Sequence, residues 1–178
     1  PYAATKKSAD ELGLSYYNSF NLPIKIIRPF NTYGPRQSPR AIIPNITYQL
    51  LNKKIKKVKI GNLTPKRDYT YVLDLCEAFF KIHNSKKFGE IFNTGTGQNI
   101  SIEELYYKIC SILKIKKTLE IQQKRRRKIT SEVTSLRCDN KKILNLGWKP
   151  KTKFTSGLKK TIKWISNNQS IYKDIYNI

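Results

Sequence analysis

Methionine is missing from this sequence, histidine occurs once and cysteine three times. Cys76, Cys110 and Cys138 are odd in number and widely spaced, so neither a disulfide framework nor a zinc motif can be read from them. They suit a reducing compartment, and the cytoplasm is the expected location. The lone His83, late in a helical stretch among lysines, argues against a histidine-based metal site and reads as a surface residue; no metal is expected. Glycine and proline, 8 of each, are too few for a collagen-like or low-complexity chain. No apolar run approaches the roughly 20 residues that span a bilayer, so no membrane partner is expected. Acidic residues are scarce, 12 against 35 lysines and arginines, for a net charge of +23. Such a surface attracts anions: nucleic acid, acidic lipid or phosphorylated metabolites. The excess is mostly lysine, scattered as pairs along the whole chain rather than gathered into a patch. With no initiator methionine and an opening inside a structured motif, the sequence reads as the later part of a longer chain. Its 178 residues suit one domain of moderate core.

What is present begins at the first residues, Pro1-Tyr2-Ala3-Ala4-Thr5-Lys6. On a helix, Tyr2 and Lys6 lie one turn apart on one face. A neighbouring ammonium favours a phenolate, so such a pair can exchange a proton with a substrate hydroxyl. Two surface residues on a first helical turn fit the same spacing. Ser8 to Phe20 reads as an amphipathic helix, with Leu12, Tyr16, Tyr17 and Phe20 on a face that suits either a core or a partner helix. Asn21-Leu22-Pro23 ends it, and Ile24 to Ile27 follows as a short buried strand. Helix then strand points to an α/β layer. The polar loop Asn31 to Arg40 leaves the end of that strand, where open α/β sheets place their ligands. Arg36 and Arg40 on it can fork onto phosphate oxygens.

Further along, Ile42 to Leu51 reads as a helix and Val58 to Gly61 as a strand with a turn. Asp74 is a candidate cap for a helix from Leu75 to His83, with Ala78, Phe79 and Ile82 inward. Ser101-Ile102-Glu103-Glu104 is a capping box that opens a helix to about Leu113. The Gly95-Thr96-Gly97 turn lacks the third glycine of a dinucleotide fingerprint. Lys124 to Lys128 is the densest basic run. No aromatic interleaving or recognisable binding module surrounds it, so nucleic acid is not the expected partner. One arginine on a diphosphate, the others solvated, explains the run equally well. Asp139 can cap a short helix closed by Gly147, and a last helix runs from Thr155 or Ser156 to about Ser166.

Taken in order, Tyr2-Ala3-Ala4-Thr5-Lys6, Arg28-Pro29-Phe30-Asn31-Thr32-Tyr33-Gly34-Pro35-Arg36-Gln37, Arg67-Asp68-Tyr69-Thr70-Tyr71-Val72 and Leu146-Gly147-Trp148-Lys149-Pro150 resemble the extended short-chain dehydrogenase/reductases. Within them, the likeness is to the NAD-dependent epimerase/dehydratase family of nucleotide-sugar enzymes. It covers residues 1 to about 165. It is nearest to bacterial 4,6-dehydratases acting on UDP-N-acetylglucosamine, of the legionaminic-acid pathway type. The resemblance implies an α/β fold. The chain would be the C-terminal portion of a Rossmann-type enzyme with its smaller substrate-binding domain, the N-terminal NAD-binding part missing. Residues 1–35 would end the Rossmann domain. Residues 36–166 would be mainly substrate domain, with 68–95 partly returning to the Rossmann sheet, and 167–178 would form a tail.

The same resemblance implies NAD as cofactor, with Tyr2 and Lys6 catalytic and also touching the cofactor, and Pro29 and Phe30 passing the nicotinamide. Asn31, Arg67 and Arg127 would bind the nucleotide-diphosphate sugar, with Arg36 and Arg40 on the substrate loop. Where near relatives have proline, this chain has Lys128, which leaves Arg126 and Arg127 both open for the second clamping arginine. The implied reaction is transient oxidation at sugar C4, with NAD as hydride acceptor, followed by loss of water across C5–C6. The acid–base pair for that elimination precedes the tyrosine in the family and lies outside this chain. A 4-epimerase would share everything visible here, and the isolated piece is expected to be inactive. Two readings from other classes stay open: a basic nucleic-acid-binding module and a non-catalytic remnant used in oligomer contacts. Helix 8–20 is expected to pair with its mate in a homodimer.

Overall fold

The computed structural model describes residues 1–126 and 131–172. The first helix, α1 (Tyr2–Phe20), ends where Asn21 turns left-handed at φ 55° and donates its N–H to the Tyr17 carbonyl. Asparagine tolerates that conformation, and Pro23 two residues on cannot continue a helix. Strands β1 (Lys25–Pro29) and β2 (Asn31–Tyr33) follow, then α2 (Ile42–Leu51) and β3 (Lys57–Ile60). Next come β4 (Lys66–Arg67), β5 (Tyr69–Tyr71), α3 (Val72–Asn84) and β6 (Glu90–Thr94). The chain closes with β7 (Ile100–Ser101), α4 (Ile102–Leu113), β8 (Thr118–Ile121), β9 (Ser135–Leu136), α5 (Lys141–Asn145) and α6 (Phe154–Asn167).

The pairings are largely parallel. β1 pairs with β6 in the register Ile26↔Ile91 and Ile27↔Phe92. β2 pairs with β5 in the register Asn31↔Tyr69 to Tyr33↔Tyr71. β3 pairs with β8 from Lys57↔Thr118 to Ile60↔Ile121. The remaining small sheet is mixed: β4 is antiparallel to β7 and parallel to β9.

These pairs correct the expectation that the NAD-binding Rossmann part is missing. A parallel, Rossmann-like core lies within this chain. The expectation looked for a glycine-rich loop. Parallel pairing needs no such loop; it needs apolar strands returned in the same direction by crossovers that are themselves covered by helices. The run from α3 back to β6 is such a crossover.

The larger core gathers Tyr33, Ile43, Ile46, Leu50, Leu105, Ile109 and Leu158 from β2, α2, α4 and α6. A smaller one holds Ala78, Ile82, Phe92, Ile143 and Trp148. The capping box at α4 is complete, with the Glu104 N–H on Ser101 Oγ at 3.0 Å and the Ser101 N–H on Glu104 Oε2 at 2.7 Å. Leu158, Ile162 and Ile165 of α6 are buried. α3 begins earlier than its sequence implies, at Val72, so Asp74 is not its cap. Asp74 is buried and accepts from the Thr152 N–H and hydroxyl, both at 3.0 Å. Phe79 points outward, 47% exposed.

α1 buries none of its residues. Leu12 and Phe20 are 60% and 68% exposed, so the apolar stripe is not a core face of this chain. The helix is held by Asp10 on Arg28 at 2.6 Å and by Tyr17 lying over Gly89. A Cβ at Gly89 would stand 2.2 Å from the Tyr17 ring, and its φ of +67° disfavours any other residue.

The three thiols differ in access: Cys76 is exposed, whereas Cys110 and Cys138 are buried. Burial, with Asp68 and Asp139 nearby, pushes the Cys138 thiol up to about 12. Burial also raises Cys110. Both stay protonated at neutral pH, and a protonated thiol is a poor nucleophile. Titration of the native protein with an aromatic disulfide reagent at pH 7.5 should therefore release about one fast equivalent, lost in Cys76→Ser. Fast release of all three would show that the packing around Cys138 is wrong.

Candidate functional site

Phe30 ends the first strand pair by donating its N–H to the Thr94 carbonyl at 2.9 Å, and Asn31 opens β2 beyond it. The loop then folds back on itself. Gln37 Nε2 donates to the Thr32 carbonyl at 2.8 Å, and the Arg40 N–H donates to Ser38 Oγ at 3.3 Å. This delivers Arg40 beside the start of α2.

The opposite wall is built by a close backbone approach. β3 ends at Ile60, and at Gly61, the next residue, a Cβ would lie 2.0 Å from the Arg125 carbonyl oxygen. Only glycine lets the 3-10 turn Gln123–Arg125 settle there. Arg125 is then buried, its Nε on Gln122 Oε1 at 3.0 Å and a terminal nitrogen on the Lys59 carbonyl at 3.2 Å. Arg126 donates its Nε to the Gly61 carbonyl at 3.0 Å.

Arg67 comes from β4. Its guanidinium donates to the Val133 carbonyl at 2.7 Å and stands 3.4 Å from Glu132 Oε1. Asp68, the next residue, is fully buried and anchors the strand. Its oxygens accept from the Thr96 N–H and hydroxyl at 2.9 and 2.6 Å, the Gly97 N–H at 2.8 Å and the Cys138 N–H at 3.2 Å.

The result is a cavity of about 270 Å³ whose lining includes Asn31, Arg40, Arg67, Tyr69, Arg125 and Glu132. Guanidiniums outnumber the one carboxylate, so the cavity favours anions. Planar forks on more than one wall suit phosphate oxygens. Among the described residues no group of histidines, cysteines and carboxylates is placed to hold a metal ion.

The structure thus brings Asn31, Arg40 and Arg67 to one cavity. Arg36 is exposed, adopts φ 65° and does not line it. Arg127 lies outside the described residues. Tyr2 and Lys6 do not line this cavity either; they sit together on the first turns of α1, the Lys6 ammonium 5.7 Å from the centre of the Tyr2 ring. Tyr2 is 76% exposed. Pro29 and Phe30 stand at the carboxyl end of β1, Pro29 in register with Thr94. Sequence reasoning missed Arg125, treated only as part of a basic run, and Glu132 as a cavity residue. The signal for Arg125 was Gly61: a glycine just after a strand often marks a close backbone approach.

A profile of the GDP-mannose 4,6 dehydratase family matches residues 1–161. The chain belongs to this family. With it comes membership of the NAD-dependent epimerase/dehydratase group of extended short-chain dehydrogenases/reductases. The chain is 34% identical over 180 residues to a UDP-glucuronate 4-epimerase of Thermodesulfobacterium geofontis, covering 98% of this chain and 53% of that protein. It is 30% identical over 178 residues to the human dTDP-D-glucose 4,6-dehydratase, covering 98% and 51%. Among solved structures, the dTDP-glucose 4,6-dehydratase of Bacillus anthracis in complex with NAD superposes with a TM-score of 0.86 at 28% identity, covering 97% of this chain and 54% of that one. The UDP-glucuronic acid 4-epimerase of Bacillus cereus, in complex with UDP-glucuronic acid and NAD, gives 0.85 at 28% identity, covering 94% and 53%. The chain spans about half the length of these relatives, and 26% of a trifunctional plant enzyme of Arabidopsis thaliana. No helix among the described residues is long and apolar enough to cross a membrane.

Proposed function

We propose that this chain carries the substrate-binding and proton-transfer residues of a nucleotide-sugar 4,6-dehydratase, with UDP-N-acetylglucosamine or a related sugar as substrate. One observation carries the reading: the cavity walled by Arg40, Arg67 and Arg125 beside Asn31. In this reading Arg67 and Arg40 hold the diphosphate, and Arg127 extends the clamp. Asn31, at the strand end, reaches the sugar side, with Arg36 at the outer margin of the loop. Tyr2 takes the proton of the C4 hydroxyl, and that oxygen stays a carbonyl in the 4-keto-6-deoxy product. Lys6 keeps a positive charge beside the ring and offsets the charge that the phenolate carries in mid-transfer.

The residues fit NAD. Tyr2, Lys6, Pro29 and Phe30 would hold it, and bound NAD supplies a reversible hydride acceptor. The supporting observation is at the carboxyl end of β6, where the Thr94 hydroxyl is buried without a partner opposite Pro29. Carboxyl ends of parallel strands are where such sheets bind dinucleotides. In the same reading the protein is cytoplasmic and serves cell-surface polysaccharide synthesis. It pairs through helix 8–20, whose exposed stripe includes Leu12, Tyr16 and Phe20. A sugar 4-epimerase is the second reading, favoured by the 34% identity to such an enzyme.

The binding half is tested by calorimetric titration with UDP. Arg67→Ala should weaken UDP about 10–100-fold, the worth of a charge-assisted fork. Arg36→Ala should change it less than about twofold, in line with an exposed side chain. Equal affinity in wild type and Arg67→Ala would remove the cavity from the argument. Incubation of the full-length enzyme with UDP-N-acetylglucosamine and NAD separates the reactions: a 4-keto-6-deoxy product supports the dehydratase, and a C4 epimer alone replaces it with the second reading.

A further inference from the structure

Arg67 enters the arginine-lined cavity with one side of its fork already committed. One terminal nitrogen, Nη1, donates to the Lys66 carbonyl at 2.9 Å and to the Val133 carbonyl at 2.7 Å. The other, Nη2, meets Glu132 Oε1 at 3.4 Å. A charge-assisted N–H···O bond is ordinarily about 2.7–2.9 Å long, so this ion pair is loose. Backbone pairing places it. β9 runs parallel to β4, and the Lys66 N–H donates to the Thr134 carbonyl at 2.8 Å, which draws Glu132 up beside Arg67. The two side chains are 15% and 16% exposed, so water screens the pair only in part. The carbonyls, rather than the carboxylate, fix the guanidinium. What Glu132 adds to the cavity is therefore its charge, and it is the one carboxylate among the lining residues. A phosphate oxygen approaching Nη2 competes for the place that Oε1 holds, and an anion seated beside Glu132 meets like charge.

We infer that Glu132 is the resident counter-ion of this cavity: it holds the open edge of Arg67 when no ligand is bound, and yields that edge to a ligand phosphate. The inference rests on the proposed function, which seats a diphosphate on Arg67. Its consequence is for release. A diphosphate held between several guanidiniums in a partly enclosed cavity would leave slowly. A carboxylate that competes for one of them lowers the net gain of binding and takes the vacated edge as the nucleotide departs. The cost of turning Glu132 aside falls on charged ligands and grows with their charge. A neutral nucleoside, which makes no claim on Arg67, escapes it.

The probes are uridine, UMP and UDP, titrated by calorimetry against the full-length protein, with UDP dissociation followed by stopped flow. Glu132→Gln keeps the shape and removes the charge. It should tighten UDP about tenfold, chiefly through slower dissociation. UMP should gain less, and uridine less than about twofold. Glu132→Asp keeps the charge and should leave UDP within about threefold of wild type. In an Arg67→Ala background the gain from Glu132→Gln should shrink below about twofold, because the group competed for is gone. Three results would each overturn the inference: UDP binding that is unchanged or weaker in Glu132→Gln, an equal change for uridine and UDP, or a full gain that persists without Arg67. The second of these would make Glu132 a contact of the nucleoside instead. Absence of UDP binding to both wild type and Glu132→Gln would remove the proposed function and this inference together, whereas bound UDP with no gain removes this inference alone.

Discussion

Asp68→Ala should destabilise the protein by roughly 3–5 kcal/mol, enough to remove most of the stability of an ordinary domain. The carboxylate is fully buried and accepts from three backbone N–H groups and one hydroxyl. Alanine removes the acceptor and leaves the donors behind. Each donor kept from water costs about 1–3 kcal/mol, less where water can reach it, as at the half-buried Thr96 and Gly97. Asp68→Asn keeps one acceptor oxygen and should cost about half as much. Urea denaturation measures both. The site should fail with the fold, because Asp68 joins the β4–β5 strand carrying Arg67 and Tyr69 to the Gly95–Gln98 turn. A loss below about 1 kcal/mol in Asp68→Ala would mean that the turn finds other partners.

Trp148→Ala comes next, with an expected loss of about 3–5 kcal/mol. Trp148 is 2% exposed and fills the smaller core against Ala78, Ile82, Phe92 and Ile143. Its indole N–H donates to the Asp74 carbonyl at 2.9 Å, in the same residue whose carboxylate holds Thr152. Truncation opens a cavity and removes that second hydrogen bond to a carbonyl of α3. Trp148→Phe keeps most of the volume and loses the hydrogen bond, so it should cost about 1–2 kcal/mol. The two variants together divide packing from hydrogen bonding. If Trp148→Phe were as damaging as the alanine, the indole N–H rather than the ring volume would dominate the smaller core. These losses should leave UDP affinity unchanged while the protein stays folded, since Trp148 does not line the arginine cavity.

Local rules made several elements readable in advance. The Ser101–Glu104 capping box and the apolar spacing of Leu105 and Ile109 specify α4 because both depend only on residues within a turn or two of each other. The spacing of Leu158, Ile162 and Ile165 does the same for α6. The ordered motifs around Tyr2, Asn31 and Arg67 carry the family likeness, since they are contiguous in the chain. Other features depend on partners far away in sequence, and no local pattern encodes those. Asp74 looks like a helix cap until Thr152, 78 residues on, takes its carboxylate. The stripe Leu12, Tyr16 and Phe20 suits a core or a partner helix alike, and only the packed chain shows that α1 buries nothing within it. Arg125 looks like one solvated charge among several, until Gly61 and the β3–β8 pairing draw its backbone inward. How much of the Rossmann-like core this chain holds was not legible, because strand direction is set by where a crossover returns, and only the packed chain decides that.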